Sequence, residues 1–131
     1  MKKNFLGLAV CLSLAILWMG AKGNDGVITK ENGIYIVNTT TLATDVEGYI
    51  GATPLKIYIK KNKIEKIEAL QNQETPKYFA KVKKLLLDKW NGMTVKEAQK
   101  AQIDAVTGAT FSSDAVKENV KRGLDYYQKH K

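Results

Sequence analysis

Apolar and polar positions alternate most cleanly along Leu55-Lys56-Ile57-Tyr58-Ile59-Lys60. Leu55, Ile57 and Ile59 fall on one side and Lys56, Tyr58 and Lys60 on the other, the pattern of a strand with one buried face. Lys61-Asn62-Lys63 follows, and Asn62 is suited to a left-handed turn. Residues 64–70 read as the returning strand, so this stretch predicts a hairpin. Upstream, residues 33–37 are short and β-branched behind the turn signal Asn32-Gly33. Residues 24–32 read as a polar lead-in. Residues 39–44 are rich in hydroxyls and fit either an edge strand or a loop.

Beyond residue 75 the period changes from two to between three and four. Thr75-Pro76 is a helix start, with threonine as N-cap and proline at the first helical position. Phe79, Val82, Leu86 and Trp90 then recur at helical spacing, and Asn91-Gly92 closes the segment. Thr94 caps a short helix through Lys100. A last helix runs from about Ser112 to Gln128, with Val116, Val120, Leu124 and Tyr127 as its apolar stripe. Strands first and helices after predict an α+β fold: a small, hairpin-based antiparallel sheet packed against two to three helices.

The first 23 residues differ from the rest. Lys2 and Lys3 precede an uncharged run over residues 4–21, and Ala21-Lys22-Gly23 supplies small residues at its end. The most apolar part, residues 8–17, fits the roughly 7–15 residues of a signal-peptide core better than the about 20 of a membrane span. An uncleaved anchor is the alternative, because Trp18 and Met19 extend the run. The expected division is therefore 1–23 as leader or anchor and 24–131 as one domain, exported from the cytoplasm into the periplasm or the medium. Cys11 lies within the apolar run and reads as a leader residue. No other cysteine exists, and the single histidine, His130, stands beside the C-terminus. A disulfide framework and thiolate chemistry are thus excluded from the reading, a zinc or haem site built from this chain alone is not expected, and redox chemistry needs a borrowed cofactor.

The formal net charge is +8, and setting aside Lys2, Lys3 and Lys22 leaves +5 on residues 24–131. Almost all of the positive charge is lysine, with Arg122 the only arginine. Nucleic-acid sites lean on the arginine fork, so no nucleic-acid partner is expected. A positive field still favours anionic ligands or an acidic partner.

The densest chemistry lies in Asp104-Ala105-Val106-Thr107-Gly108-Ala109-Thr110-Phe111-Ser112-Ser113. Small residues and hydroxyls form a turn directly before an amphipathic helix. A helix start offers unpaired amides and positive potential to a phosphate, and Gly108 and Ala109 leave room for it. The segment resembles the flavin-attachment motif Asp-x-x-(Ser/Thr)-Gly-Ala-Thr of the FMN-binding domain family. That family includes the C subunit of the sodium-pumping NADH:quinone reductase and the G subunit of the Rnf electron-transport complex. Asp104, Thr107, Gly108, Ala109 and Thr110 fill every fixed position.

The likeness extends over nearly all of residues 24–131. Gly48-Tyr49-Ile50-Gly51 matches the family's Gly-Tyr-x-Gly segment. Lys61-Asn62-Lys63 stands where its hairpin turn often reads Asp-Gly-Lys. Glu74-Thr75-Pro76 matches its Glu-Thr-Pro element. Two departures point to a short, stand-alone version: Lys77-Tyr78-Phe79 replaces the glycine-rich turn of the respiratory subunits, and their extra length is missing.

The resemblance implies FMN as cofactor, carried on Thr110 by a phosphoester bond. Threonine is a poor nucleophile and no base lies nearby in sequence, so the resemblance also implies a separate, metal-dependent flavin transferase that uses FAD. Asp104 orients the hydroxyl loop, is read by that transferase, or is a plain turn aspartate. Thr107, Gly108, Ser112 and Ser113 are candidate hydrogen-bond donors to the phosphate, and the serines also suit helix capping. Glu74 and Thr75 correspond to the element that lines the flavin ring in the family. Tyr49 either contacts the ring or is a core aromatic.

The function expected is electron relay between protein or quinol partners, with membrane association through the N-terminus where the leader is kept as an anchor. No dinucleotide fingerprint supports direct NADH oxidation. Two alternatives stand beside it: a flavin-dependent reductase of a small molecule, with Tyr49 or Glu74 as acid, and a cofactor-free envelope module for binding or sensing.

Overall fold

The computed structural model describes residues 26–131. The leader, Cys11 and the choice between cleavage and anchoring lie outside the described residues. Four antiparallel strands form a meander in sequence order: β1 Ile28–Glu31, β2 Ile34–Asn38, β3 Leu55–Lys60 and β4 Lys63–Ala69. Helices follow: α1 Pro76–Leu85, α2 Val95–Lys100 and α3 Thr110–His130. The fold is the expected α+β arrangement, with one strand more than the alternation announces.

That extra strand, β1, lies within the polar lead-in. Its sequence Ile-Thr-Lys-Glu has one apolar residue, and its order comes from pairing Ile28 with Val37 and Glu31 with Ile34. The connection is a two-residue turn with Asn32 at φ 51° and Gly33 at φ 80°, the mirror-image geometry that matches strand twist. The β3–β4 hairpin turns the same way on Lys61 (φ 52°) and Asn62 (φ 62°). Lysine rarely adopts that conformation. Here the turn is pinned from outside, because the Tyr127 hydroxyl donates to Asn62 Oδ1 at 2.7 Å and the Val95 amide to the Asn62 carbonyl at 2.9 Å.

Val37, Leu55, Ile57, Ile59, Ile64 and Ile67 cover the inner face of the sheet, and α3 packs there through Val116, Val120 and Leu124. The helix α1 stops at Leu85, and Leu87–Trp90 continues as a 3₁₀ turn rather than the single helix expected through Trp90. The tighter winding aligns residues three apart, so Leu87 and Trp90 are buried together beside Leu86. Thr94 caps α2 with a reciprocal box: its hydroxyl accepts from the Glu97 amide at 3.1 Å while Glu97 accepts from the Thr94 amide at 2.9 Å. Residues 39–44 form a loop. Buried Thr39 anchors it by accepting from the Leu55 amide at 2.9 Å and donating to Asn119 of α3.

Helix and sheet meet closely at Gly123. A Cβ there would lie 2.7 Å from Ile57 Cδ1 and 3.0 Å from Thr39 Cγ2. Gly123→Val therefore overpacks this contact and costs about 1–3 kcal/mol. At about 4–8 °C per kcal/mol for a domain of this size, thermal unfolding shows the loss clearly, and an unchanged midpoint contradicts the packing described.

Candidate functional site

Between α2 and α3 the chain runs extended and then turns at Thr107-Gly108, with Gly108 at φ 83°. Ser113, fully buried, knits this turn from inside. Its hydroxyl donates to the Ala109 carbonyl at 2.7 Å and accepts from the Val106 amide at 3.0 Å. The helix begins at Thr110, two residues before the expected start, and its N-cap is Ala109. Alanine offers no side-chain acceptor. Among the described residues the amides of Thr110, Phe111 and Ser112 have no protein acceptor, so the positive end of a 21-residue helix is left open.

That open end forms one side of a cleft of about 520 Å³. Gly108, Ala109, Thr110, Phe111 and Ser112 line it from α3, Thr75 and Tyr78 from the start of α1, and Tyr49 from the loop before β3. Thr110 is exposed to solvent here. Tyr49 is 72% exposed and Phe111 66%, with ring centroids 6.3 Å apart and planes inclined by 36°. Tyr49 is therefore no core aromatic. Thr75 holds the N-cap position of α1, but its side chain makes no capping bond there.

The wall that carries Tyr49 is held by one carboxylate. Glu74, only 5% exposed, accepts from the amides of Tyr49 (2.7 Å), Ile50 (2.6 Å) and Gly51 (3.3 Å) and from the Ser112 hydroxyl (2.6 Å). It thereby ties residues 48–51 to the first turn of α3. Burial by itself pushes the Glu74 carboxyl up. The Ser112 hydroxyl and the three amides outweigh it and hold the group below the ordinary carboxylate value. Gly48 is part of the same clasp, since a Cβ there would overlap Glu74 Oε1 and approach Ser112 Cα to 3.3 Å.

Of the ten residues singled out from the sequence, the cleft gathers six: Thr110, Gly108, Ala109, Ser112, Thr75 and Tyr49. Glu74 acts one layer back, through the loop it holds. Ser112 gives its hydroxyl to Glu74 and Ser113 turns inward, so neither hydroxyl is left for a ligand. Asp104, ahead of the turn, and Thr107, within it, are exposed and do not line the cleft. Two wall residues went unassigned in the sequence, Tyr78 and Phe111. Their signal is an aromatic side chain off the buried stripe of its own helix, Phe79–Val82 in α1 and Val116–Val120 in α3.

Residues 48–125, well over half of the chain, match the FMN-binding domain family. The chain belongs to that family. No curated protein and no solved structure matches it. FMN is accordingly the cofactor, and the residues present suit it. The cleft volume is in the range of cofactor sites, Tyr49, Tyr78 and Phe111 offer faces for a flat ring, and the uncapped amides suit a phosphate.

The clasp carries a pH signature. A folded value below the ordinary 4.5 means that Glu74 contributes stability in full above that value and loses it as pH falls through the lower folded value. Glu74→Gln removes the contribution and leaves amide donors short of an acceptor, at about 1–3 kcal/mol. Urea midpoints should fall in the variant at pH 7, and its gap from wild type should close in acid. A gap of constant size across that range contradicts the assignment.

Proposed function

We propose that this FMN-binding domain carries its flavin covalently, as a phosphoester on Thr110, and relays electrons between protein or quinol partners outside the cytoplasm. The observation that carries the reading is the position of Thr110: an exposed hydroxyl on the first turn of a helix whose amides lack a cap, inside an aromatic-walled cleft. Bound FMN supplies one- and two-electron chemistry that no side chain here can provide.

The chain's own part is to hold and orient. Amides at the start of α3 balance the charge of a phosphodiester, and Gly108 and Ala109 keep the approach clear. Tyr49, Tyr78 and Phe111 flank a ring, and Glu74 fixes the distance between two of them by bonding the 48–51 loop and Ser112 at once. With four donors on it, Glu74 stays ionised and is a poor proton source. This weighs against Glu74 as the acid of a small-substrate reductase and leaves Tyr49 as the candidate for that alternative.

Attachment needs outside help. The only histidine, His130, ends the helix that Thr110 begins, about 30 Å away at 1.5 Å per residue. A flavin transferase supplies the missing base and metal. In the balanced reaction the Thr110 oxygen forms a bond to the FMN phosphorus of FAD, the pyrophosphate link breaks, AMP leaves, and the hydroxyl proton goes to the transferase. A permanent tether suits an open cleft and an extracytoplasmic location, where a dissociated cofactor would be lost.

Co-expression with a flavin transferase and intact-mass measurement test the reading. Wild type should gain the mass of FMN less water, Thr110→Ser should retain the adduct, and Thr110→Ala should lack it. An adduct of undiminished yield on Thr110→Ala overturns the attachment site.

A further inference from the structure

The outer face of the sheet carries two isoleucines and a tyrosine among the polar residues that an antiparallel sheet turns to water. In register across it, Thr29, Ile36, Tyr58 and Lys66 form one row. Glu31, Ile34, Lys60 and Lys63 form the next. Ile34, Ile36 and Tyr58 are half-exposed at the centre. Lys56, Lys60 and Lys66 surround them, and Lys66 Nζ lies 4.6 Å from the centre of the Tyr58 ring. Four lysines face two glutamates, Glu31 and Glu68, on this surface, and Lys66 stands 4.0 Å from Glu68 in an exposed and therefore weak pair. Helix α3 packs on the opposite face, and the cleft is built from α1, α3 and the 48–51 loop, so neither occupies it.

We propose that this face lies against an anionic phospholipid surface, with Ile34, Ile36 and Tyr58 at the headgroups and Lys56, Lys60 and Lys66 paired with lipid phosphates. Two observations select that occupant over a protein. The lysine ring complements a negative, laterally extended surface, and long lysine stems carry charge past an apolar centre. The uncharged run of residues 4–21 also enters the domain only a few residues before β1, the edge strand of this same sheet. The inference rests on the anchor reading of that run, the alternative to a cleaved leader given above. Docked this way, the domain keeps Thr110 turned away from lipid and open to partners.

The full chain carrying Cys11→Ser and Thr29→Cys, labelled with an environment-sensitive fluorophore, is reconstituted with vesicles and probed with aqueous acrylamide. A second variant carries the label at Lys121→Cys on exposed α3. On vesicles containing phosphatidylglycerol, quenching at position 29 should drop severalfold while position 121 stays open. High salt, or Lys56→Gln/Lys60→Gln/Lys66→Gln together, should restore quenching at 29. Chain that floats with the vesicles while position 29 stays open overturns the docked face alone. Chain that does not float overturns the anchor reading with it. Shielding of position 29 before vesicles are added assigns the face to residues 1–25 or to a second copy. Equal shielding on pure phosphatidylcholine removes the charge basis. Either result overturns the proposal.

Discussion

The cleft depends on the buried carboxylate of Glu74. A charged group that is almost wholly removed from water is costly unless its oxygens are saturated, and Glu74 is saturated by three backbone amides and a hydroxyl. Those donors come from two places distant in sequence, the 48–51 loop and the first turn of α3. One side chain therefore sets the spacing between Tyr49 and the residues around Thr110. The requirement propagates to Gly48, where the carboxylate occupies the space a side chain would need. It propagates also to Ser112, whose small hydroxyl reaches Glu74 from a helix position that otherwise faces the cleft.

The helix starts of this domain show a second constraint. At Thr94 the chain builds a full capping box. At Ala109 it builds none, although replacing a capping residue by alanine typically costs about 0.5–2 kcal/mol. The box stands at a helix start that does not line the cleft, whereas the starts of α1 and α3, which do line it, carry no side-chain cap. Ser113 stabilises the turn from beneath without covering the amides, so the open end is held rigid by bonds on its buried side. Membership of the FMN-binding domain family supplies a cofactor whose phosphate suits such an end.

Much of this was legible in the residues because burial is written in their order. Leu55, Ile57 and Ile59 alternate, Val116, Val120 and Leu124 recur, and both sets are buried as read. The strand β1 was not legible, since one isoleucine carries no period and the strand exists through its partner. The start of α3 was drawn to Ser112 by the capping habit of serine, whereas both serines bond sideways and inward and alanine takes the cap. Motif residues named the cleft, yet the role of Glu74 was hidden: its partners are amides 23 to 25 residues upstream and a hydroxyl 38 residues downstream. Side-chain identity cannot announce a bond to backbone that distant. Tyr78 and Phe111 lie off the buried stripes of their helices, but that position alone does not tell a cleft aromatic from a solvated one.

The most direct test of this account is visible circular dichroism of the flavin-loaded protein, compared between wild type and Glu74→Ala at equal flavin content. A ring held between fixed walls acquires an induced signal from their asymmetry. The clasp described here predicts a strong signal in wild type and its collapse in Glu74→Ala while the flavin stays attached. An undiminished signal in the variant would show that the ring is positioned without Glu74 and would contradict the account.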